Sequence, residues 1–238
     1  MTIKEEIQAL KKKDRYTIDD LRTITRILRS EEGCPWDREQ DHHSIRTCLI
    51  EETYEVVEAI DTENETLMRE ELGDLLFQVV FHAELEQERQ TFSLDEVIHD
   101  ISAKMIHRHP HVFGDTDVAS SAEVLQNWES IKTEEKQRNT LGERLRAIPP
   151  MMPALMRAAK EGKKAGYATA ESREALLSQL GEQLRAMETE QNAANVHSQI
   201  GQVLLTLTFL ARSMDVDAEH ALSDATNRLI DSVASEET

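Results

Sequence analysis

The sequence predicts an all-α protein, a helical bundle built from tandem units, and three observations carry that prediction. Its 238 residues include only eight glycines and five prolines, and aromatic side chains are sparse. Apolar residues recur at helical spacing. No stretch alternates convincingly as a strand.

Each element follows from local pattern. Met1 to Lys13 is a charged lead-in that reads as a short helix. From Thr17 to Arg29, Ile18, Leu21, Ile24, Ile27 and Leu28 form a helical stripe, with Thr17 as its cap ahead of Asp19 and Asp20. Gly33-Cys34-Pro35-Trp36-Asp37 breaks that helix. Trp36 offers a large flat face that either meets a base or plugs the bundle end. Ser44 is placed to cap a helix reaching about Ile60, Asp61-Thr62-Glu63-Asn64 is a turn, and a second helix climbs back from Leu67. Ser93 and Glu96 make a capping box for a helix over Leu94 to His107. Ala122 to Lys136 is a further helix. Gln137 to Pro153, with Gly142 and three prolines, reads as a connection, and Ala154 to Lys164 is a short helix ended by Gly166.

The second half repeats the first. Glu71-Leu72-Gly73-Asp74-Leu75-Leu76 is echoed by Gln199-Ile200-Gly201-Gln202-Val203-Leu204, and Phe81-His82-Ala83 by Phe209-Leu210-Ala211. Glycine inside a helix costs about 1 kcal/mol relative to alanine, so its recurrence predicts close helix packing in both copies. The two acids have become amides, and Gln179, Leu180 and Gln183 stand where first-arm acids are expected. The expected organisation is therefore residues 1–136 as a catalytic unit, 137–153 as a linker, and 154–238 as a degenerate copy.

Composition limits the functions available. Lys and Arg number 27 against 46 Asp and Glu, a net charge of −19 that argues against affinity for nucleic acid or anionic membrane. No segment reads as a signal peptide or a membrane span, and Cys34 and Cys48 form no paired motif, so a cytoplasmic protein with free thiols is expected.

The helical hairpin from Glu51 to Ala83 organises the chain chemically. Taking the turn at Glu63, Glu55 and Glu71 lie eight residues away on opposite arms, and Glu52 and Asp74 eleven. At about 1.5 Å per residue these acids stand at matching depths, and their three-residue spacing places each pair on one face. They enter the apolar run Leu75 to Phe81, which reads as a helix buried on several sides. Acids gathered in such a place need protons or cations, and oxygen ligands favour Mg²⁺ or Mn²⁺. A solvated acidic face is the alternative. Lys104 and Arg108, four apart near a helix end, suit phosphate oxygens, although on their own they read as solvent-facing. Pro110 disrupts ligand spacing among His107, His109 and His111, which counts against zinc. Glu96-Val97-Ile98-His99 has the form of a di-iron or di-manganese pair, and an inactive interaction protein is a third reading.

Five segments in order carry a family resemblance. Cys34-Pro35-Trp36-Asp37, Glu51-Glu52-Thr53-Tyr54-Glu55, Glu71-Leu72-Gly73-Asp74, Arg108-His109-Pro110-His111-Val112-Phe113 and Trp128-Glu129-Ser130-Ile131-Lys132 together resemble the MazG family of nucleoside triphosphate pyrophosphohydrolases. The resemblance implies a dimeric all-α enzyme that uses Mg²⁺ to hydrolyse NTPs or dNTPs to monophosphate and pyrophosphate. It also implies Glu52, Glu55, Glu71 and Asp74 as metal ligands, and Glu51 as an acid that orients or deprotonates water. Lys104 and Arg108 are then the triphosphate contacts, and Trp36 borders the base. The C-terminal unit departs from tandem relatives in which the second acidic set is intact.

Overall fold

A computed structural model describes residues 2–136, 140–169, 172–188 and 190–236, so the first three positions of the expected linker, 137–139, lie outside the described residues. Every regular element among the described residues is a helix. Cα packing divides the chain into Met1–Val124 and Leu125–Thr238, and the division falls inside one helix, Ser121–Lys136.

The first unit contains α1 (Ile3–Leu10), α2 (Ile18–Arg29), α3 (Pro35–Glu39), α4 (Arg46–Asp61), α5 (Glu65–Glu88), α6 (Leu94–Arg108) and α7 (Pro110–Phe113). Thr17 and Ser93 cap α2 and α6 with reciprocal capping boxes through Asp20 and Glu96, as their spacing predicts. Ser44 does not cap α4. Its hydroxyl accepts from the Asp41 backbone N–H at 2.9 Å, Asp41 accepts from the Ser44 N–H, and α4 starts at Arg46 with no side-chain cap. The nearby aspartate outcompetes the helix for that serine. At the hairpin turn Glu63 takes a left-handed φ of 51° and Asn64 caps α5 by accepting from Leu67 N–H.

Helix α5 is the axis of this unit. One side buries Phe81 and Leu85 against Ile45, with Phe77 alongside; another buries Val80 and Ala83 against Leu94 and Leu21. Full burial of such side chains is worth about 1.5–3 kcal/mol each. Arg29, at the end of α2, is buried and ties three segments together. Its guanidinium donates to both Glu88 oxygens at 2.7 and 2.8 Å and to the carbonyls of Asp37 and Gln40, and lies 5.1 Å from the Phe81 ring centroid. This charge-assisted network fixes the α3 segment that carries Trp36. A second anchor joins the 41–45 segment to α5. His42 stacks on His82, their Nδ1 atoms are 2.7 Å apart, and His42 Nε2 lies 2.6 Å from Glu86.

The second unit takes in the rest of α8 (Ser121–Lys136), then α9 (Leu141–Arg146), α10 (Ala154–Ala165), α11 (Arg173–Met187), α12 (Ala193–Ser213) and α13 (Ala218–Glu236). Helices α11 and α12 form a hairpin against which α10 packs. Gly162 lets α10 approach: a Cβ there would stand 2.6 Å from the Phe209 ring. Gly166 ends α10 with a left-handed φ of 75°.

The two repeated glycines behave differently from expectation. A Cβ added at Gly73 or Gly201 would meet nothing within 4 Å. Neither do the flanking apolar residues find cover within one chain. Ile50, Tyr54 and Val57 on α4, and Leu72, Leu76 and Val79 on α5, remain between 40 and 55% exposed. In α12, Ile200, Leu204 and Leu207 repeat the α5 spacing and are 44 to 46% exposed. The apolar character of α5 thus serves an outer face as well as the core.

Candidate active site

The α4–α5 hairpin brings together three of the four acids that its symmetry predicts. Glu52, Glu55 and Glu71 each present a carboxylate oxygen, and all three lie within 4.8 Å of one another. Glu71 is only 8% exposed, Glu52 is half-buried, and Glu55 and Asp74 lie toward solvent. Asp74 stands outside the tight trio but its charge reaches both Glu52 and Glu71.

The electrostatics are those of crowded acids. Burial raises the Glu52 carboxyl above the usual range, and a hydrogen bond with Glu55 and the charges of Asp74, Glu55 and Glu71 add to the rise. Burial also raises Glu71, followed by the charges of Glu55, Asp74 and Glu70. Two causes therefore act in one direction: lost hydration and like charge. A divalent cation would reverse both. Oxygens held about 2.1 Å from Mg²⁺ lie at most about 4.2 Å apart, and a trio within 4.8 Å is close to that spacing. The donor set is all carboxylate, which suits Mg²⁺ or Mn²⁺ better than a softer metal.

The remaining sequence-predicted residues are distributed around this hairpin's unit. Glu51 is exposed and does not join the trio. Lys104 is exposed on α6, whereas Arg108, at the end of the same helix, is 6% exposed rather than solvent-facing. Trp36 is exposed on α3, so it does not plug the bundle. His109 Nδ1 lies 2.6 Å from the Met105 carbonyl, and the His107-His109-His111 run joins no metal-type cluster among the described residues. Glu96 of the Glu96–His99 pair accepts from the Ser93 N–H and hydroxyl at 2.7 and 2.9 Å through one carboxylate oxygen, and neither Glu96 nor His99 joins a metal-type cluster among the described residues.

Sequence reasoning missed Arg29, whose two-carbonyl, one-carboxylate grip sets the α3 loop. Its only sequence signal is a basic residue in the last turn of a helix, which ordinarily faces water.

Helices that hold a trio of converging carboxylates beside a buried core define a helical-bundle protein with an acidic cluster able to hold a cation. Comparison with known proteins then fixes the family. Residues 40–113 match the MazG nucleotide pyrophosphohydrolase domain. The chain is 38% identical over 215 residues to the nucleoside triphosphate pyrophosphohydrolase/pyrophosphatase MazG of Thermotoga maritima, covering 90% of this chain and 82% of that protein. It is 39% identical over 219 residues to the nucleoside triphosphate pyrophosphohydrolase of Escherichia coli K12, covering 89% and 83%. A nucleoside triphosphate pyrophosphohydrolase of Mycobacterium tuberculosis is 34% identical over 134 residues, 56% of this chain and 41% of that one. The chain belongs to the MazG family.

Proposed function

We propose that the protein hydrolyses nucleoside triphosphates to the monophosphate and pyrophosphate with Mg²⁺, and that the first unit does the chemistry. The convergence of Glu52, Glu55 and Glu71 on antiparallel arms is the observation that carries this reading. Family membership supports the reaction class.

In this reading Glu52, Glu55, Glu71 and Asp74 hold the metal, with Mn²⁺ as an alternative ion. When bound, such an ion neutralises phosphate charge and lowers the pKa of coordinated water. Glu51, on the neighbouring turn, orients or deprotonates the attacking water. Lys104 and Arg108 hold the phosphate chain and stabilise charge developing on the leaving pyrophosphate. Arg108 suits that task because a buried guanidinium loses little freedom when it binds. Trp36 borders the base, held there by the grip of Arg29 on Asp37 and Gln40.

The second unit, in this reading, keeps the scaffold and has lost the site. Gln183 and Gln199 stand where the first unit has Glu55 and Glu71, and their amide oxygens are buried without a hydrogen-bond partner. Neutral amides hold a divalent ion far more weakly than carboxylates. The exposed strips on α4, α5 and α12 support a homodimer, since a second copy would cover them and the open glycines between them. No described helix is long and apolar enough to cross a membrane, and both cysteines are free; the free thiols support a cytoplasmic setting.

The test is a panel of NTPs and dNTPs incubated with the protein and Mg²⁺. Equal amounts of monophosphate and pyrophosphate support the reaction; orthophosphate with a diphosphate would reject it.

A further inference from the structure

The second unit contains a cavity of about 250 Å³ between α8, α9 and the end of α10. Its lining is unlike the rest of this acidic protein. Lys132, Arg144, Lys160 and Lys164 converge on it, with Glu129 as the one acid in the wall. Ala147, Ile148 and Pro149 form an apolar floor, and Ile148 is 4% exposed. We propose that this cavity is a binding site for a polyphosphate anion, either pyrophosphate or the phosphate chain of a nucleotide, built from the second unit alone.

Three features of the cavity lead there. First, four cations against one acid leave the pocket strongly positive in a chain whose net charge is −19. Like charges gathered in this way repel unless an anion shares them, and a concave wall focuses their field. Second, Lys132 is held in place rather than waving in solvent. Its Nζ lies 3.4 Å from Glu129 and 4.5 Å from the Trp128 ring centroid, contacts that orient the ammonium. Third, the cations come from three separate helices, so the charge surrounds a volume instead of lining one helix face. Such an arrangement matches an anion with several oxygens pointing in different directions, which is the chemistry of linked phosphoryl groups.

The titration of Lys164 agrees with the geometry. Burial holds its pKa below the usual lysine range, and Lys132, Lys160 and Arg144 push it lower while Glu129 opposes them. A bound polyanion would remove most of that penalty. The inference does not rest on the hydrolytic reading, because every residue in it lies between positions 128 and 164 and none is assigned to the carboxylate site.

Isothermal titration calorimetry of the full chain with sodium pyrophosphate, in EDTA and at physiological ionic strength, tests the proposal. EDTA suppresses metal-linked binding at the carboxylates, so failure of the hydrolytic reading would leave this result unaffected. The expected outcome is saturable binding to the wild type that falls at least tenfold in Lys160→Ala/Lys164→Ala and in Arg144→Ala. Lys163→Ala, which removes an exposed lysine from the same helix outside the cavity wall, should bind as the wild type does. Parallel titrations with a non-hydrolysable triphosphate analogue identify the source: tighter binding of the analogue assigns a nucleotide, and tighter binding of pyrophosphate assigns the free anion. Absence of binding to both ligands overturns the proposal. So does undiminished binding in both cavity variants, or an equal loss in Lys163→Ala.

Discussion

Replacing Leu76 by Asp should separate the homodimer proposed above while leaving each subunit folded. Leu76 sits midway along the α5 strip and is 44% exposed in a single chain, so the subunit's own core does not need it. Full burial of a leucine is worth about 1.5–3 kcal/mol, and covering its remaining half therefore contributes about 1 kcal/mol per copy. Symmetry counts that loss twice. The larger effect is the new carboxylate, because desolvating an unpaired charge costs several kcal/mol and two are placed in one apolar seam. The sum exceeds about 5 kcal/mol, a weakening of more than a thousandfold at about 1.4 kcal/mol per decade. Sedimentation equilibrium at micromolar concentration reads this directly: the wild type should show twice the chain mass and Leu76→Asp the chain mass, with circular dichroism unchanged. A wild type of single-chain mass, or a variant that still sediments as a dimer, would refute the reasoning.

Other expectations concern the site and its titration. Glu55→Gln and Asp74→Asn should each lower turnover by about 100-fold or more without unfolding, since at metal sites even the loss of a group that only hydrogen-bonds to a ligand costs roughly 10–100-fold; steady-state kinetics beside circular dichroism checks this. In metal-free protein the contribution of Glu52 and Glu71 to stability should fall as pH rises from about 4.3, read as the difference between wild type and Glu52→Gln/Glu71→Gln, because their folded pKa values lie above their unfolded ones: the contribution is complete at lower pH and disappears as pH passes through the raised values. Mg²⁺ should reverse that loss, by about 2.7 kcal/mol at a hundred times its Kd, and thermal melts across pH with and without the ion measure it. His82 works in the opposite sense: burial and His42 depress its pKa, so its contribution is present above about 6.5 and is lost as pH falls through the depressed value. His82→Leu should flatten that acid limb. Gln199→Ala should leave kcat/KM within about twofold, since the proposed reading gives the neutral copy no step of the reaction; a complete loss in a folded variant would place the second unit in the chemistry.

Much of this site is legible in the sequence because an antiparallel hairpin converts residue number into depth. Equal offsets from Glu63 placed Glu55 opposite Glu71, and the trio of oxygens within 4.8 Å is the outcome. Thr17 and Ser93 were likewise readable, because a capping box is satisfied within four residues. Ser44 misled because Asp41 competes for it at equally short range. The burial of Arg29 and Arg108 was hidden for a different reason: burial of a charged side chain depends on contacts distant in sequence, as Glu88 is 59 residues from Arg29. Periodicity marked α5 as apolar but does not distinguish a face covered by the same chain from one left for another, as Leu72, Leu76 and Val79 illustrate. The basic cavity is assembled from α8, α9 and α10, and its four cations look ordinary when read one helix at a time.

Titration of Mn²⁺ into metal-free protein, followed by the electron paramagnetic resonance signal of the free ion, tests most directly whether the α4–α5 acids face inward to cations. The wild type should suppress that signal stoichiometrically, and Glu55→Gln or Glu71→Gln should leave it nearly that of buffer. Equal suppression by wild type and both variants would contradict a metal site on this hairpin.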